Sequence, residues 1–228
     1  MNRTLSCLIA AALALVASSA RAQSDLAVER ASTGGTHKAF EISLGLGYSQ
    51  GFGDVGTNMP NIGDVGAGGG TAELGLGYRF NPSLLVGVYA GASRYAQGSK
   101  VTSGDVCGYQ AGVQGNWHFN PTAKLDPWIG VGAGWRMFCL NQDAGNATMH
   151  GLDLGRINIG VDYQVTPTFA LAPVIGASIN LMLTQKGAAV DGFSNITDPK
   201  PNLFFFGGVM GRFDLFGQGP DAVRIASR

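Results

Sequence analysis

Apolar and polar residues alternate with a period of two along most of the chain. In the first such segment, Phe40, Ile42 and Leu44 are separated by Glu41 and Ser43. Eight segments show the pattern, and each has at least about nine to eleven residues, the length that a tilted strand needs to cross a membrane. The eight segments begin near Phe40, Ala72, Leu84, Gly108, Ile129, Arg156, Phe169 and Leu203.

Short turns and long connections follow one another between these segments. The short turns contain Asn81-Pro82, Asn120-Pro121 and Thr166-Pro167, while the other ends open into stretches rich in Gly, Asp and Ser. This asymmetry predicts an all-β fold, an eight-stranded antiparallel up-and-down transmembrane β-barrel with short periplasmic turns and longer extracellular loops. The predicted loops are Gln50 to Gly69, Gln97 to Gly104, Leu140 to His150 and Gln185 to Asn202.

Period alone does not separate a membrane barrel from a secreted soluble barrel, because a soluble sheet would turn the same apolar face inward. The polar face is rich in glycine, and the chain has 36 glycines in 228 residues. The side chains of this face are too small and too polar to form a dry core. Aromatic residues also cluster near the strand ends, so the membrane barrel is favoured. Pro173 interrupts the seventh segment, where we expect a bulge or a shifted boundary.

The remaining parts of the chain divide around one barrel domain, residues 39–216. Residues 1–22 have a basic start at Arg3, an apolar run and a small-residue ending, which predict a signal peptide cut between Ala22 and Gln23. Residues 23–38 are predicted to be a periplasmic linker, and residues 217–228 a polar tail. Fifteen basic and fifteen acidic residues leave no net charge, so nothing indicates a nucleic-acid partner.

Several motifs resemble those of small Gram-negative outer-membrane barrels, namely the outer-membrane-protein-A-like, opacity and porin-like families. They are Leu44-Gly45-Leu46-Gly47-Tyr48, the segment 127–135 with its repeated glycines, and the aromatic final strand. The resemblance implies a location in the bacterial outer membrane and contact with its lipid. One departure is the polar tail that follows Phe213 and Phe216, since such barrels usually end on an aromatic residue.

Two cysteines follow the predicted signal peptide. If the fourth and fifth strands fold about Ala123, Cys107 and Cys139 face each other, because they are equidistant from it. An exported compartment permits oxidation, and directly opposed antiparallel residues come within disulfide reach. We therefore expect a Cys107–Cys139 disulfide, with two free, small apolar side chains as the alternative.

Charged residues on the polar face form a second candidate site. Barrel closure makes the first strand a neighbour of the second and the eighth, so Glu41 should be flanked by Arg79 and Arg212. We predict an internal ion cluster there, which together with Tyr89 and Trp128 would obstruct the lumen. Separate, solvated charges in a wet lumen are the alternative.

Catalytic patterns are weak. His150 and Asp153 are the best of the weak candidates for catalytic residues. No set of residues points to a cofactor or a metal. The sequence favours a non-enzymatic, monomeric structural barrel whose loops meet extracellular ligands or surface molecules. A passive porin-like channel for small or apolar solutes is the alternative, although side chains largely fill a barrel of eight strands.

Overall fold

The structure is a computed structural model that describes residues 38–142, 145–187 and 193–215. Nearly all of its regular structure is β-strand, and only one short helix, α1 (Ile62–Val65), occurs in these ranges. A two-residue strand, β8 (Ser194–Asn195), lies in the last loop. The eight long strands are β1 (Ala39–Phe52), β2 (Gly66–Asn81), β3 (Leu84–Gln97), β4 (Asp105–His118), β5 (Leu125–Gln142), β6 (Gly145–Thr166), β7 (Phe169–Lys186) and β9 (Pro201–Leu215).

The eight long strands close into a barrel. Each strand from β1 to β7 pairs antiparallel with the next one in the chain, and β9 pairs with both β7 and β1. Closure leaves no free edge among the long strands, which a spanning sheet requires because lipid offers no hydrogen bonds to backbone groups. The predicted eight-stranded antiparallel barrel is thus confirmed.

The two faces of the wall differ sharply in polarity. Phe40 is 59% exposed on the outer face, whereas the neighbouring Glu41 is only 3% exposed on the inner face. Near the short turns the outer face carries aromatic pairs, with ring centroids of Phe169 and Phe213 4.5 Å apart. An apolar outer band with aromatic residues at its border is typical of a wall that faces lipid.

Small residues on the inner face make room for large ones. Gly160 lies beside the buried Trp128, and a Cβ atom at this glycine would lie 2.5 Å from the indole ring. The inner glycines noted in the sequence thus allow a narrow barrel to hold bulky side chains.

The short turns form as the sequence predicts. At the β2–β3 turn, the Asn81 side-chain oxygen accepts hydrogen bonds of 2.9 Å from the backbone N–H groups of Ser83 and Leu84. The proline that follows Asn81 fixes the backbone for such a turn. The two-residue β6–β7 turn occupies the predicted position after Thr166.

The expectation of a bulge or shifted boundary at Pro173 is wrong. Pro173 lies within β7 opposite Val209, and the β7–β9 register does not change from Phe169 to Leu181. On its other side, the β6–β7 pairing is interrupted between Gly160 and Tyr163 without a change of register. A local gap in one ladder therefore accommodates the missing N–H donor.

The third predicted loop, Leu140 to His150, is largely strand. β5 continues to Gln142 and β6 starts at Gly145, so the two strands extend as a hairpin into the region that was predicted to be the third loop. Cross-strand pairing continues there from Cys139 opposite Thr148 to Gln142 opposite Gly145. Backbone pairing, rather than an alternating apolar pattern, holds this hairpin together.

Several boundary predictions lie outside the described residues. These are the signal peptide 1–22 with its Ala22–Gln23 cleavage site, nearly all of the linker 23–38, Phe216 and the tail 217–228. They remain predictions. Within the described ranges, no helix is long and apolar enough to cross a membrane.

Candidate functional site

The turn-side end of the barrel interior contains the predicted ion cluster residues. Glu41 on β1 lies between Arg79 on β2 and Arg212 on β9, and all three side chains are buried. Arg79 Nη2 donates to Glu41 Oε2 at 2.5 Å, and Arg212 Nε donates to Glu41 Oε1 at 2.9 Å. The structure thus brings these three side chains together, with both carboxylate oxygens engaged, which favours retention of the buried charges.

Four further side chains extend this group toward β4, β5 and β6. His118 Nδ1 lies 2.7 Å from Asp126 Oδ2, and His118 Nε2 lies 3.2 Å from Arg212 Nη2. Trp128 Nε1 donates to Asp162 Oδ1 at 2.8 Å. Together with Asp214, which lies 3.7 Å from Arg79, these residues form what we call the turn-side cluster. Its members are Glu41, Arg79, His118, Asp126, Trp128, Asp162, Arg212 and Asp214.

Sequence reasoning missed most of these contacts. It joined only Arg79 and Arg212 to Glu41, and it did not consider Asp126. The signal for Asp126 was available, because it shares inward parity with Trp128 two residues later. No local sequence pattern indicates that side chains from β4, β5 and β6 meet at one point.

A second polar group, the central cluster, fills the middle of the lumen. Its members are Glu73, Tyr89, Gln110, Arg136, Asp153, Arg156, Asn158, Ser178 and Asn180. Arg156 donates to both oxygens of Glu73, at 2.6 and 2.9 Å, and its guanidinium lies 4.4 Å from the centre of the Tyr89 ring. Two acids and two bases balance in this cluster.

Arg136 links the central cluster to the loop side of the barrel. Its Nε donates to Asn180 Oδ1 at 2.8 Å and its Nη2 to Gln110 Oε1 at 2.5 Å. The same guanidinium lies 4.1 Å from the centre of the Phe204 ring. The Arg136 guanidinium therefore contacts polar side chains on one side and an aromatic ring on the other.

The loop-side end is closed by an apolar layer that we call the apolar cap. Five buried residues come from three loops, and five come from the inner faces of strand ends. The loop residues are Val55, Ile62, Val65, Val101 and Ile196, and the strand residues are Tyr95, Val106, Phe138, Met182 and Phe204. Tyr95 and Phe138 pack with ring centroids 5.4 Å apart.

A small cavity remains between the central cluster and the β1–β9 wall. It has a volume of about 40 Å³, and its lining includes Ser49, Thr71, Glu73 and Arg136. This space is sufficient for a few waters, since a single buried water needs roughly 10–15 Å³. It is far below the roughly 300 Å³ of an ordinary small-molecule pocket.

Cys107 and Cys139 are directly opposed on β4 and β5. Their Cα atoms lie 5.0 Å apart and their sulfur atoms are bonded, with a sequence separation of 32. The structure therefore places these residues as the sequence register predicts. Formation of the disulfide in the exported protein remains a prediction.

The weak catalytic candidates do not converge. His150 packs between Trp135 and Phe193, with ring centroids 5.3 and 5.0 Å away. Asp153 is buried in the lumen and accepts a 3.1 Å hydrogen bond from the Tyr89 hydroxyl. The two residues therefore act in separate surroundings, and neither has the partners of an acid–base pair with the other.

In the described part of the chain, one group of side chains has the donor atoms of a metal site. His118, Asp126 and Asp162 each offer one ligand atom, and these atoms lie within 4.8 Å of one another. All three side chains are buried.

A closed barrel with an apolar outer wall and a filled polar interior defines the class of bacterial outer-membrane β-barrel proteins. A family model described as "Outer membrane protein beta-barrel domain" matches residues 8–209. The chain belongs to this family, which confirms the resemblance inferred from its motifs and supports a location in the outer membrane.

Solved structures of other outer-membrane proteins are similar in fold. Neisserial surface protein A is 17% identical, with a TM-score of 0.52, and the alignment covers 77% of this chain and 97% of that chain. OprG from Pseudomonas aeruginosa is 12% identical, with a TM-score of 0.49 and coverages of 79% and 98%. Ail of Yersinia pestis is 17% identical, with a TM-score of 0.44 and coverages of 78% and 99%. No curated protein sequence matches this chain.

Proposed function

We propose that this protein is a non-conducting, non-enzymatic membrane anchor that displays its extracellular loops to molecules outside the cell. The observation that carries the proposal is the filling of the lumen at three successive levels. The turn-side cluster, the central cluster and the apolar cap follow one another along the barrel, so a solute would meet two layers of paired charges and one dry layer. Opening such a path requires the separation of buried ion pairs, which is costly.

The construction of the loop-side surface supports a display role. The loop after β1 and the loop before β9 are joined by a 2.7 Å hydrogen bond from Thr57 Oγ1 to Asp198 Oδ2 and by backbone bonds such as Lys200 N to Val55 O. Backbone bonds from Gly98 and Lys100 join the loop after β3 to α1. A connected loop surface offers a preformed shape to a partner, which lowers the entropic cost of binding.

A passive channel is the second candidate. The small cavity beside the glycine-rich β1–β9 wall is the observation that favours it. Gly47 and Gly208, which pair across this wall, have no side chains to fill the lumen on that side. Its volume of about 40 Å³ accommodates a few waters only. The cavity therefore supports the channel less than the layered interior supports a closed anchor.

Conductance across planar bilayers tests the closed lumen. We expect the refolded wild-type protein to give no stable single-channel steps. Glu41→Ala should raise conductance if the turn-side cluster obstructs the path, whereas Asp105→Ala, on the exposed loop side, serves as a control that leaves the current unchanged. Stable steps from the wild-type protein would contradict the closed anchor and favour the channel.

Cysteine labelling on intact cells tests the display of the loops. Lys100 lies in the loop after β3 and Lys124 in a short turn, and both side chains are exposed. Lys100→Cys should react with a membrane-impermeant maleimide on intact cells, while Lys124→Cys should react only after the outer membrane is permeabilised. The reverse pattern would contradict display of the loops at the cell surface.

A further inference from the structure

The turn-side cluster has an excess of acid. Its three fully buried carboxylates, Glu41, Asp126 and Asp162, face the two guanidiniums of Arg79 and Arg212. The central cluster, in contrast, balances two acids with two bases. Buried charges require compensation by a partner of opposite sign. A cation beside Asp126 and Asp162 would compensate the remaining negative charge.

Three ligand atoms already converge beside these charges. His118 Nδ1 lies 2.7 Å from Asp126 Oδ2 and 3.7 Å from Asp162 Oδ2. Zinc binds histidine nitrogen and carboxylate oxygen at about 2.0–2.2 Å, so ligand atoms around one tetrahedral ion lie roughly 3–3.5 Å apart. The three ligand atoms lie within 4.8 Å of one another, so rotation of the carboxylates would bring them to this spacing.

The second oxygen of each aspartate is held by a donor outside the triad. The backbone N–H of Asn120 donates to Asp126 Oδ1 at 2.9 Å, and Trp128 Nε1 donates to Asp162 Oδ1 at 2.8 Å. Such outer hydrogen bonds orient the ligands in known metal sites. The two carboxylates are therefore oriented with their Oδ2 atoms toward His118, and Asp162 Oδ2 also lies 3.5 Å from Arg212 Nη1.

Arg212 provides an independent indication of a missing group. Its buried Nη1 has no hydrogen-bond acceptor among the described residues, although it lies 3.5 Å from Asp162 Oδ2. A water in the fourth position of a tetrahedral ion would supply an acceptor close to this nitrogen. Binding through His118 Nδ1 moves the ring proton to Nε2, so the nearby Nη2 must turn toward Glu41, with which it already forms a 2.8 Å ion pair.

We propose that His118, Asp126 and Asp162 bind one divalent transition-metal ion, with zinc as the best match, at the turn-side end of the lumen. Three protein ligands of nitrogen and oxygen type with one open position suit zinc. The ion links β4, β5 and β6 where the chain enters and leaves the short turns. The site is independent of whether the lumen conducts and of what the loops bind.

Cobalt titration of the purified protein tests the site. The mature chain without a histidine tag is refolded in detergent after removal of metal, and Co²⁺ is added either before or after refolding because the site is buried. The ligand-field absorption of Co²⁺ should report one ion per chain and disappear on addition of Zn²⁺. The double variant His37→Ala/His150→Ala, which removes the other two histidines, should bind like the wild-type protein.

Two ligand variants complete the experiment. His118→Gln and Asp162→Asn should each weaken Co²⁺ binding by roughly tenfold or more. Gel migration with and without boiling verifies that each variant is folded, and the two substitutions together keep the test decisive if one variant fails to fold. The proposal is overturned if the folded wild-type protein binds no Co²⁺, if a folded ligand variant binds as tightly as the wild-type protein, or if the His37→Ala/His150→Ala variant loses binding.

Discussion

Glu41→Ala removes the acid that two buried guanidiniums share. Arg79 and Arg212 contact the carboxylate at 2.5 and 2.9 Å, and both arginines are almost entirely buried. After the substitution, Arg79 retains Asp214 at 3.7 Å and Arg212 retains Asp162 at 3.5 Å. Each arginine therefore keeps one longer ion pair and loses its shortest one.

The magnitude follows from these remaining contacts. Removal of one partner from a buried ion pair costs about 3–5 kcal/mol, because the other charge stays buried without its partner. Since both arginines keep a second carboxylate, we expect a loss near the lower limit. A loss of about 3 kcal/mol corresponds to roughly a hundredfold change in the folding equilibrium constant.

Urea unfolding in lipid vesicles, followed by tryptophan fluorescence and by gel migration, measures this loss. The control is Asp105→Ala, because the Arg94–Asp105 pair has a similar chemistry at 3.5 Å but side chains that are 66% and 68% exposed. An exposed pair contributes at most about 1 kcal/mol. If Glu41→Ala destabilises the barrel no more than Asp105→Ala does, the buried cluster does not stabilise the fold as argued.

The remaining predictions concern the wall and the disulfide. Non-reducing mass spectrometry should find Cys107 joined to Cys139, and replacement of both by Ser should cost up to about 4 kcal/mol from the lost loop constraint; two free thiols would contradict the pairing. Val131→Arg places a charge on the lipid face and should destabilise the barrel by about 2–4 kcal/mol in vesicle unfolding, and an unchanged stability would argue against lipid contact there. Gly160→Val should cost about 1–3 kcal/mol through collision with Trp128, measured by the same assay, and a neutral effect would show that the indole has room to move.

Local patterns were enough to predict the strands, the turns and the cross-strand register. A period of two identifies which residues share a face, and Asn-Pro turns fix where one strand reverses into the next. Equal sequence distance from Ala123 was therefore sufficient to place Cys107 opposite Cys139. Closure then made β1 a neighbour of β9, which brought Arg212 to Glu41.

Features that depend on several distant segments were not predictable in the same way. The hairpin beyond Leu140 lacks a regular alternation, so its backbone pairing gave no signal in the sequence. The apolar cap combines residues from three loops whose paths are set by contacts between them. The meeting of His118 with Asp126 and Asp162 requires both barrel closure and specific side-chain rotamers, neither of which is a local property.

The three tryptophans test most directly whether the apolar face of the wall contacts lipid while the polar face encloses a filled interior. Trp117 and Trp135 are 49% and 39% exposed on the outer face, whereas Trp128 is 1% exposed in the lumen. Three single-tryptophan variants, with Phe at the other two positions, are refolded into vesicles with and without brominated lipid. If the wall is oriented in this way, Trp117 and Trp135 are strongly quenched and Trp128 retains its emission. Quenching of Trp128 alone, or equal quenching of all three, would contradict this orientation.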